Sequence, residues 1–553
     1  MGPGLCIGVF SFTLFWLIEL AVGKKDYAGR LGSHLIRGSG WAIAVRWTAR
    51  LLGLVSTIVL ARLLTPTDFG IVAIAMIIAG TIEIFAQTGQ WQAIIRHPAP
   101  TRDHYDSAWT ISMLLGLGLG LVIWLAAPVA VIYFHEPRAQ QVVEVVAFRT
   151  MIVGLTNVGI VNFKRDFRFR AQFVFDTAPS IVAFFVTIGA AVAFRNYWSL
   201  VVGMLSQQFA TVGLSYILEP HRPRITFAKV GEIWSFSLWT MTRGIGVYLN
   251  NQVDKFAVGG FAGSATMGRY EVATDVAIAP TQEINLPMIA TLFPVMSRAH
   301  ADTQRRRELY LQSLYWSALI CTSTAVGVAL VSNDMVDLVL GRQWQDAKPL
   351  MPWLALAFGV LGLSASVYSA FEVIGRPKVS AILQWTRLAG LTICIAPVAL
   401  IFKTALAVAI TRFIFTLAIT PTLFLALARA LEIPVSVIVR ALWRPVTAGA
   451  VMAAVVLGLN AVLPFAGPIR LVTNMAVGAL TYSAFLLFVW NLGGRPDGPE
   501  TFVWNSLLSV WRSPSERYRG ALVRARVRDR TGGEATESAT PSSAAPAKHE
   551  SLP

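Results

Sequence analysis

The sequence predicts an all-α polytopic membrane protein of fourteen spans, and three observations carry that expectation. Of 553 residues, 55% are hydrophobic and 14% charged, with a mean hydropathy of +0.60; soluble domains carry about 25% charged residues. Apolar runs of about 20 residues recur along the chain, each long enough to cross a roughly 30 Å hydrocarbon core as a helix. The basic residues alternate between the connections. With the N-terminal segment inside, the inner loops hold 16 Lys and Arg and the outer loops 6, which is the bias expected of cytoplasmic loops. The net charge of +16 therefore reports orientation in a membrane and gives no reason to expect a nucleic-acid partner. Cys6, Cys321 and Cys394 are widely separated within apolar runs. They show neither metal spacing nor a disulfide framework and read as packing or lipid-facing residues. No cofactor or metal is expected.

Taken in order, residues 1–37 form an N-terminal extension whose apolar stretch 5–22 ends at Lys24-Lys25. It lacks the basic start and small-residue cleavage site of a signal peptide, so it reads as an extra span or as the product of an early start codon. Spans 41–64 and 69–90 follow, joined by the turn Thr65-Pro66-Thr67-Asp68. Arg46 and Arg50 lie one turn apart on the first span; Glu83, Gln87 and Gln90 share a face of the second. An arginine at mid-membrane costs about 2.5–3.5 kcal/mol, so both polar faces are expected to turn toward a shared aqueous or substrate-lined space.

Spans 108–134, 142–162, 173–194 and 198–218 complete a first lobe, 38–218. Spans 232–254, 270–296, 311–340, 348–371, 380–402 and 404–428 make a second, 219–430. Spans 440–463 and 469–491 fill a C-terminal pair, 431–495. Trp41 and Arg50 are nine residues apart, as are Trp234 and Arg243. That faint repeat suggests two pseudo-symmetric bundles around a central cavity. Span 270–296 holds Asp275 and Glu283 with Pro280, Pro287 and Pro294 seven apart; each proline removes a backbone donor and can bend the helix. The tail 496–553 is basic between Arg512 and Arg530, suited to anionic inner-leaflet lipid, and then turns into a Ser/Ala/Thr/Glu/Pro stretch expected to be disordered.

Several of these stretches resemble one family. Leu60-Ala61-Arg62-Leu63-Leu64-Thr65-Pro66-Thr67-Asp68-Phe69-Gly70 resembles the first hairpin of polysaccharide and lipopolysaccharide exporters. Asn162-Phe163-Lys164-Arg165-Asp166-Phe167-Arg168-Phe169 is similar to their basic-aromatic loop. Asn250-Asn251-Gln252-Val253-Asp254-Lys255 with Gly259-Gly260, and Gly341-Arg342-Gln343-Trp344, also match. The resemblance, over roughly residues 36–430, is to the oligosaccharide flippases of the multidrug/oligosaccharidyl-lipid/polysaccharide exporter superfamily. It implies a fourteen-helix exporter of two lobes that moves an undecaprenyl-diphosphate-linked oligosaccharide, of exopolysaccharide, capsule or O-antigen type, to the outer leaflet of the bacterial inner membrane. A polysaccharide polymerase complex is an implied partner. The extra N-terminal span and the arginine-rich tail depart from the family pattern.

A lipid diphosphate needs cationic, hydrogen-bonding partners when its head leaves water. Arg46, Arg50 and Arg243 are the candidates, with ion pairing to helix-buried carboxylates or snorkelling as the plainer alternatives. Glu83, with Gln87 and Gln90, can bind sugar hydroxyls or a coupling cation, or act as packing glue. Asp275, with Glu283, is the candidate for ion coupling; Pro280 and Pro287 are the candidates for gating, against a fixed curve. Asp176 and Asp254 read as structural or interfacial. The basic run around Lys164 reads first as a topology signal. A cation-coupled multidrug exporter of the same superfamily is the alternative. A membrane-embedded glycan polymerase or acyltransferase is disfavoured, because the sequence has neither a large outer loop nor a His/Asp constellation within the spans. No Gly-Lys-Ser/Thr phosphate loop is present, so direct ATP use is not expected, and the transporter reading carries no enzymatic activity.

Overall fold

The computed structural model describes residues 48, 52–53, 55–86, 91, 94–95, 97, 99–166, 168–231, 238–298, 303–462 and 467–494. The extension 1–37, Arg46, Arg50, Gln87, Gln90, Trp41, Trp234 and the tail 496–553 lie outside the described residues. The long helices are α1 (55–63), α2 (Pro66–Glu83), α3 (Arg102–Ala126), α4 (Pro137–Val153), α5 (Phe169–Phe194), α6 (Trp198–Leu218), α7 and α8 (the two arms of Leu238–Arg298), α9 (Thr303–Met335), α10 (Met351–Val373), α11 (Pro377–Phe402), α12 (Ala405–Leu431), α13 (Val435–Val462) and α14 (Gly467–Leu492). Among the described residues ten helices are long and apolar enough to cross a membrane, and α4 with the bent Val158–Arg165 makes an eleventh. With α1, α7 and α8 the long helices number fourteen.

Local chemistry sets the starts. Thr65 caps α2: its hydroxyl accepts from the Asp68 N–H at 3.3 Å, and the Asp68 carboxylate accepts from the Thr65 N–H at 2.9 Å. That reciprocal pair satisfies two orphan donors of the first turn, and Pro66 needs no N–H there. The other Asp68 oxygen accepts from the Tyr197 N–H at 3.0 Å, tying the start of α2 to the start of α6. After α6 the chain runs extended along α3. Buried Asp106, Ser107 and Thr110 accept hydrogen bonds from the backbone of Arg224, Lys229 and Thr226 at 3.1–3.2 Å. Those side chains replace the sheet partner that an extended, partly buried segment would otherwise need.

Spans 232–254 and 270–296 are expected to be separated by a loop, and here the structure differs. Residues sixteen apart on one helix would sit about 24 Å apart, yet Lys255 pairs with Glu271 at 2.7 Å and Tyr270 bonds Asp254 at 2.6 Å. The chain reverses at the single residue Gly263, whose φ of 75° and ψ of 169° lie in a region open essentially only to glycine. Lys255 and Arg269 look like loop residues, but Glu271 and Asp346 neutralise them, so α7 and α8 continue to the turn.

The α7–α8 hairpin is the main partner of α2. Their closest crossing is at Gly70 and Gly268. A Cβ on Gly70 would fall onto the Ser264 carbonyl, and one on Gly268 onto that of Pro66, so only glycine admits this backbone approach. The α5–α6 and α3–α4 pairs build one side of the molecule; α10, α11 and α12 gather round the hairpin on the other. The apolar core runs through α2, α4, α8 and α10. The pair α13–α14 leans on α9, where the Asp334 carboxylate pairs with Arg470 of α14 and has Asn474 beside it. Cys321 is buried and Cys394 exposed on apolar helices, the two environments expected for them.

Candidate functional site

Besides Asp334–Arg470, four ion pairs among the described residues join different membrane-spanning helices or helix arms. On α2, the Glu83 carboxylate accepts from the Thr150 hydroxyl of α4 and lies 3.5 Å from the Arg149 guanidinium. On α7, Arg243 Nε lies 2.6 Å from Glu372 Oε1 of α10. Lys255 of α7 meets Glu271 of α8, and Asp254 of α7 meets Arg412 of α12 at 2.6 Å. The last pair is fully buried, with the Tyr270 hydroxyl donating to Asp254 and the Phe358 ring 4.6 Å from the Arg412 guanidinium. The first two differ in kind. Arg149 and Glu83 keep 20% and 24% of their side-chain surface, and Arg243 and Glu372 keep 27% and 23%. Charged groups at membrane depth that stay accessible belong against polar space rather than hydrocarbon.

Several sequence candidates can now be placed. Glu83 is ion-paired with Arg149 and Arg243 with Glu372. The partners Arg149 and Glu372 are 66 and 129 residues away in sequence, and no local spacing announces them. Asp275 is exposed on α8, within electrostatic reach of Lys255. Glu283 is half-buried further along α8, and Asn285 two residues on donates to the Gly362 carbonyl at 3.0 Å. Pro280, Pro287 and Pro294 all lie inside α8, where the only non-helical backbone is at Gly263. The helix accommodates the three prolines unbroken in this state. Asp254 takes part in a fully buried network, and Asp176 accepts from Gln172 at 2.6 Å on an exposed face of α5.

Two intramembrane arginines escaped the sequence reading. Arg412 on α12 and Arg387 on α11 are 2% and 1% exposed. Each interrupts an otherwise apolar span, which is the same signal that singled out Arg50.

The two halves of the molecule are joined at the side that the loop charges assign to the outside. Arg62 donates to the Leu338 carbonyl at 2.6 Å. In return, Gln343 donates to the Ala61 and Leu64 carbonyls, and Trp344 Nε1 donates to Ala61 at 2.8 Å. Each half thus satisfies carbonyls left open at the end of a helix in the other half. Trp344 is fully buried, edge-on to Phe69 with ring centroids 5.3 Å apart. Beside it the Tyr133 hydroxyl donates to the Phe256 carbonyl at 3.3 Å. At Glu136 burial pushes the carboxyl up, but hydrogen bonds from Arg138 and from Ser264 across the boundary outweigh it and leave it below the ordinary carboxylate range.

Comparison with known proteins places this arrangement. Residues 59–349 match the family model described as polysaccharide biosynthesis protein. The lipopolysaccharide biosynthesis protein WzxC of Escherichia coli K12 is 21% identical over 345 residues, 61% of this chain and 68% of the relative. The succinoglycan biosynthesis transport protein ExoT of Rhizobium meliloti is 21% identical over 354 residues, 63% of this chain and 70% of that one. Among solved structures, the inward closed conformation of the lipid II flippase MurJ superposes with a TM-score of 0.66 at 12% identity. It covers 82% of this chain and 99% of its own. An inward-facing multidrug transporter of the MATE family, in the MOP superfamily, gives 0.51 at 15% identity, covering 70% and 98%. At these identities the structures speak for the fold, which is the two-lobed exporter fold.

Proposed function

The chain belongs to the polysaccharide biosynthesis protein family, and from that premise we propose that it is a flippase of the inner membrane. It carries an undecaprenyl-diphosphate-linked oligosaccharide from the cytoplasmic to the outer leaflet. The observation that supports this most is the accessible charge at membrane depth, Arg243–Glu372 and Arg149–Glu83, in a molecule whose halves are fastened at the outer side. A lipid diphosphate brings about two negative charges and sugar hydroxyls; arginine offers it a planar fork of donors. Competition for Arg243 is built in. The Glu372 carboxylate holds the guanidinium until a diphosphate of higher charge displaces it, so binding need not leave a bare arginine in the membrane. The relatives named above carry out lipopolysaccharide biosynthesis and succinoglycan transport by name, and this chain is read as a transporter with no catalytic step. A polymerase that consumes the glycan on the outer face is the partner this reading implies.

Deletion of the gene, followed by analysis of lipid-linked glycans on each leaflet, tests the proposal. The expected result is accumulation of one lipid-linked oligosaccharide on the cytoplasmic leaflet, reversed by the wild-type gene and much less by Arg243→Ala. Normal export with no accumulating intermediate would refute it.

A further inference from the structure

Arg387 sits at the middle of α11 with 1% of its surface exposed. Its Nε and Nη1 have no hydrogen-bond partner among the described residues. The Tyr368 hydroxyl of α10 lies within hydrogen-bonding reach of the guanidinium. Ser380, Gln384 and Arg387 share the inward face of α11, at spacings of four and three, and all three are buried. Gln384 is committed to the Gly246 carbonyl at 3.2 Å, while the Ser380 hydroxyl has no partner. The neighbouring charge is Arg412, of the same sign, and its own counter-charge Asp254 lies 2.6 Å from it. Asp254 therefore neutralises Arg412, and among the described residues Arg387 has no ion pair with a carboxylate.

The local inventory is one-sided. A guanidinium offers only donors; the Tyr368 oxygen accepts from it and leaves its O–H as a further donor, so no charged acceptor is supplied. Burying a cation without a counter-charge is strongly unfavourable, whereas each of the other buried cations just described has a carboxylate. The guanidinium is also closed to bulk solvent at 1% exposure, so a diphosphate or a sugar has no open route to it.

We infer that Arg387 and Tyr368 bind a small monovalent anion of the halide class within the second lobe. This is a structural counter-ion site, separate from the accessible Arg243–Glu372 pair and independent of which glycan is carried. The anion accepts from an unpaired N–H of Arg387 and from the Tyr368 O–H, and it supplies the charge that Asp254 gives to Arg412.

The test uses the full chain purified in lipid nanodiscs, unfolded thermally in sodium chloride or sodium gluconate at equal ionic strength and pH. Wild type should unfold about 2 °C or more higher in saturating chloride, with a dependence that saturates as single-site binding does. Tyr368→Phe should keep the fold and weaken the apparent chloride affinity about tenfold, as expected for one hydrogen bond to a charged group. Arg387→Gln should remove the chloride dependence, and the surface variant Arg195→Gln should retain it. Equal unfolding of wild type in chloride and gluconate would mean that water satisfies these donors, and the proposal fails. It also fails if Tyr368→Phe and Arg387→Gln respond to chloride as wild type does. A larger stabilisation by inorganic phosphate than by chloride would overturn the enclosure argument and with it the halide assignment.

Discussion

Replacing Trp344 should loosen the outer fastening and expose the crossing of α2 with α8. The indole is fully buried, donates to Ala61 at 2.8 Å and meets Phe69 edge-on at 5.3 Å, so its contacts across the boundary are lost when the outer side opens. One hydrogen bond contributes about 1 kcal/mol net, and an aromatic pair about 0.5–1.5 kcal/mol beyond its burial. Trp344→Phe keeps a ring against Phe69 and loses the donor, while Gln343 still serves the Ala61 carbonyl. It should shift the closed-to-open balance by about 1 kcal/mol, roughly fivefold. Trp344→Ala loses both terms and part of the buried surface across the boundary, about 2–3 kcal/mol, or roughly 30- to 150-fold. The assay is the reaction of Ser264→Cys, in a background without the native cysteines, with a membrane-impermeant maleimide added from outside. Ser264 is buried where its backbone meets Gly70. If opening precedes labelling and recloses quickly, the rate follows the open population. Rates should rise in the order wild type, Trp344→Phe, Trp344→Ala. Equal rates in all three, with each protein folded, would show that this contact does not hold the outer side closed.

Orientation can be checked by labelling single cysteines at Arg168 and Arg342, which should lie on opposite sides of the membrane; the same side for both would overturn the assignment. Arg243→Ala should lower glycan export at least tenfold without preventing insertion, and exchange of the charges in Arg243→Glu with Glu372→Arg should restore stability more than export. Export restored fully by the exchange would give the pair a purely structural role. For Glu136 the folded-state pKa is below its ordinary 4.5, so its contribution is present at neutral pH and lost as pH falls through the lowered value. Wild type should therefore lose more thermal stability than Glu136→Gln between pH 6 and the lowest pH at which the protein stays folded, and parallel losses would refute this. In proteoliposomes carrying a lipid-linked oligosaccharide, an imposed proton or sodium gradient should change the flipping rate of wild type and not of Asp275→Asn. Indifference of both to either gradient would remove Asp275 from coupling.

The fourteen helices were legible because hydrophobic length and loop charge are local properties of the chain. The pairing of charges was not, because partners such as Arg243 and Glu372 are fixed by helix packing rather than by spacing. The turn at Gly263 was hidden for a related reason. Lys255, Arg269 and Glu271 carry the polarity of a loop, and only their mutual neutralisation in three dimensions lets two helices reach a one-residue reversal. Arg387 and Arg412 were visible in principle as single arginines in apolar runs. Hydropathy averaged over a span absorbs one charge, which is why they have to be sought one residue at a time. The segment Gly341-Arg342-Gln343-Trp344 was noticed as a pattern, but its capping of the Ala61 and Leu64 carbonyls belongs to the assembled fold.

The hairpin of α7 and α8 gives these scattered groups a common mechanical frame. Two contacts staple its arms below the turn, Asp254 with Tyr270 and Lys255 with Glu271. Near Gly263 the arms therefore move as one body unless a buried charge is uncovered, which would cost several kcal/mol. That body is fixed to α12 through Arg412 and to the segment carrying Trp344 through Arg269 and Asp346. It also meets α2 at the two glycines, where no side chain cushions the contact. Opening the outer side must then separate α2 from the hairpin as a unit and carry Trp344 with it, rather than bend α7 or α8 at the turn. Arg243, at the other end of α7, rides on the same body. Under the proposed function, a diphosphate that drew Arg243 away from Glu372 would act on the lever whose far end holds the outer fastening.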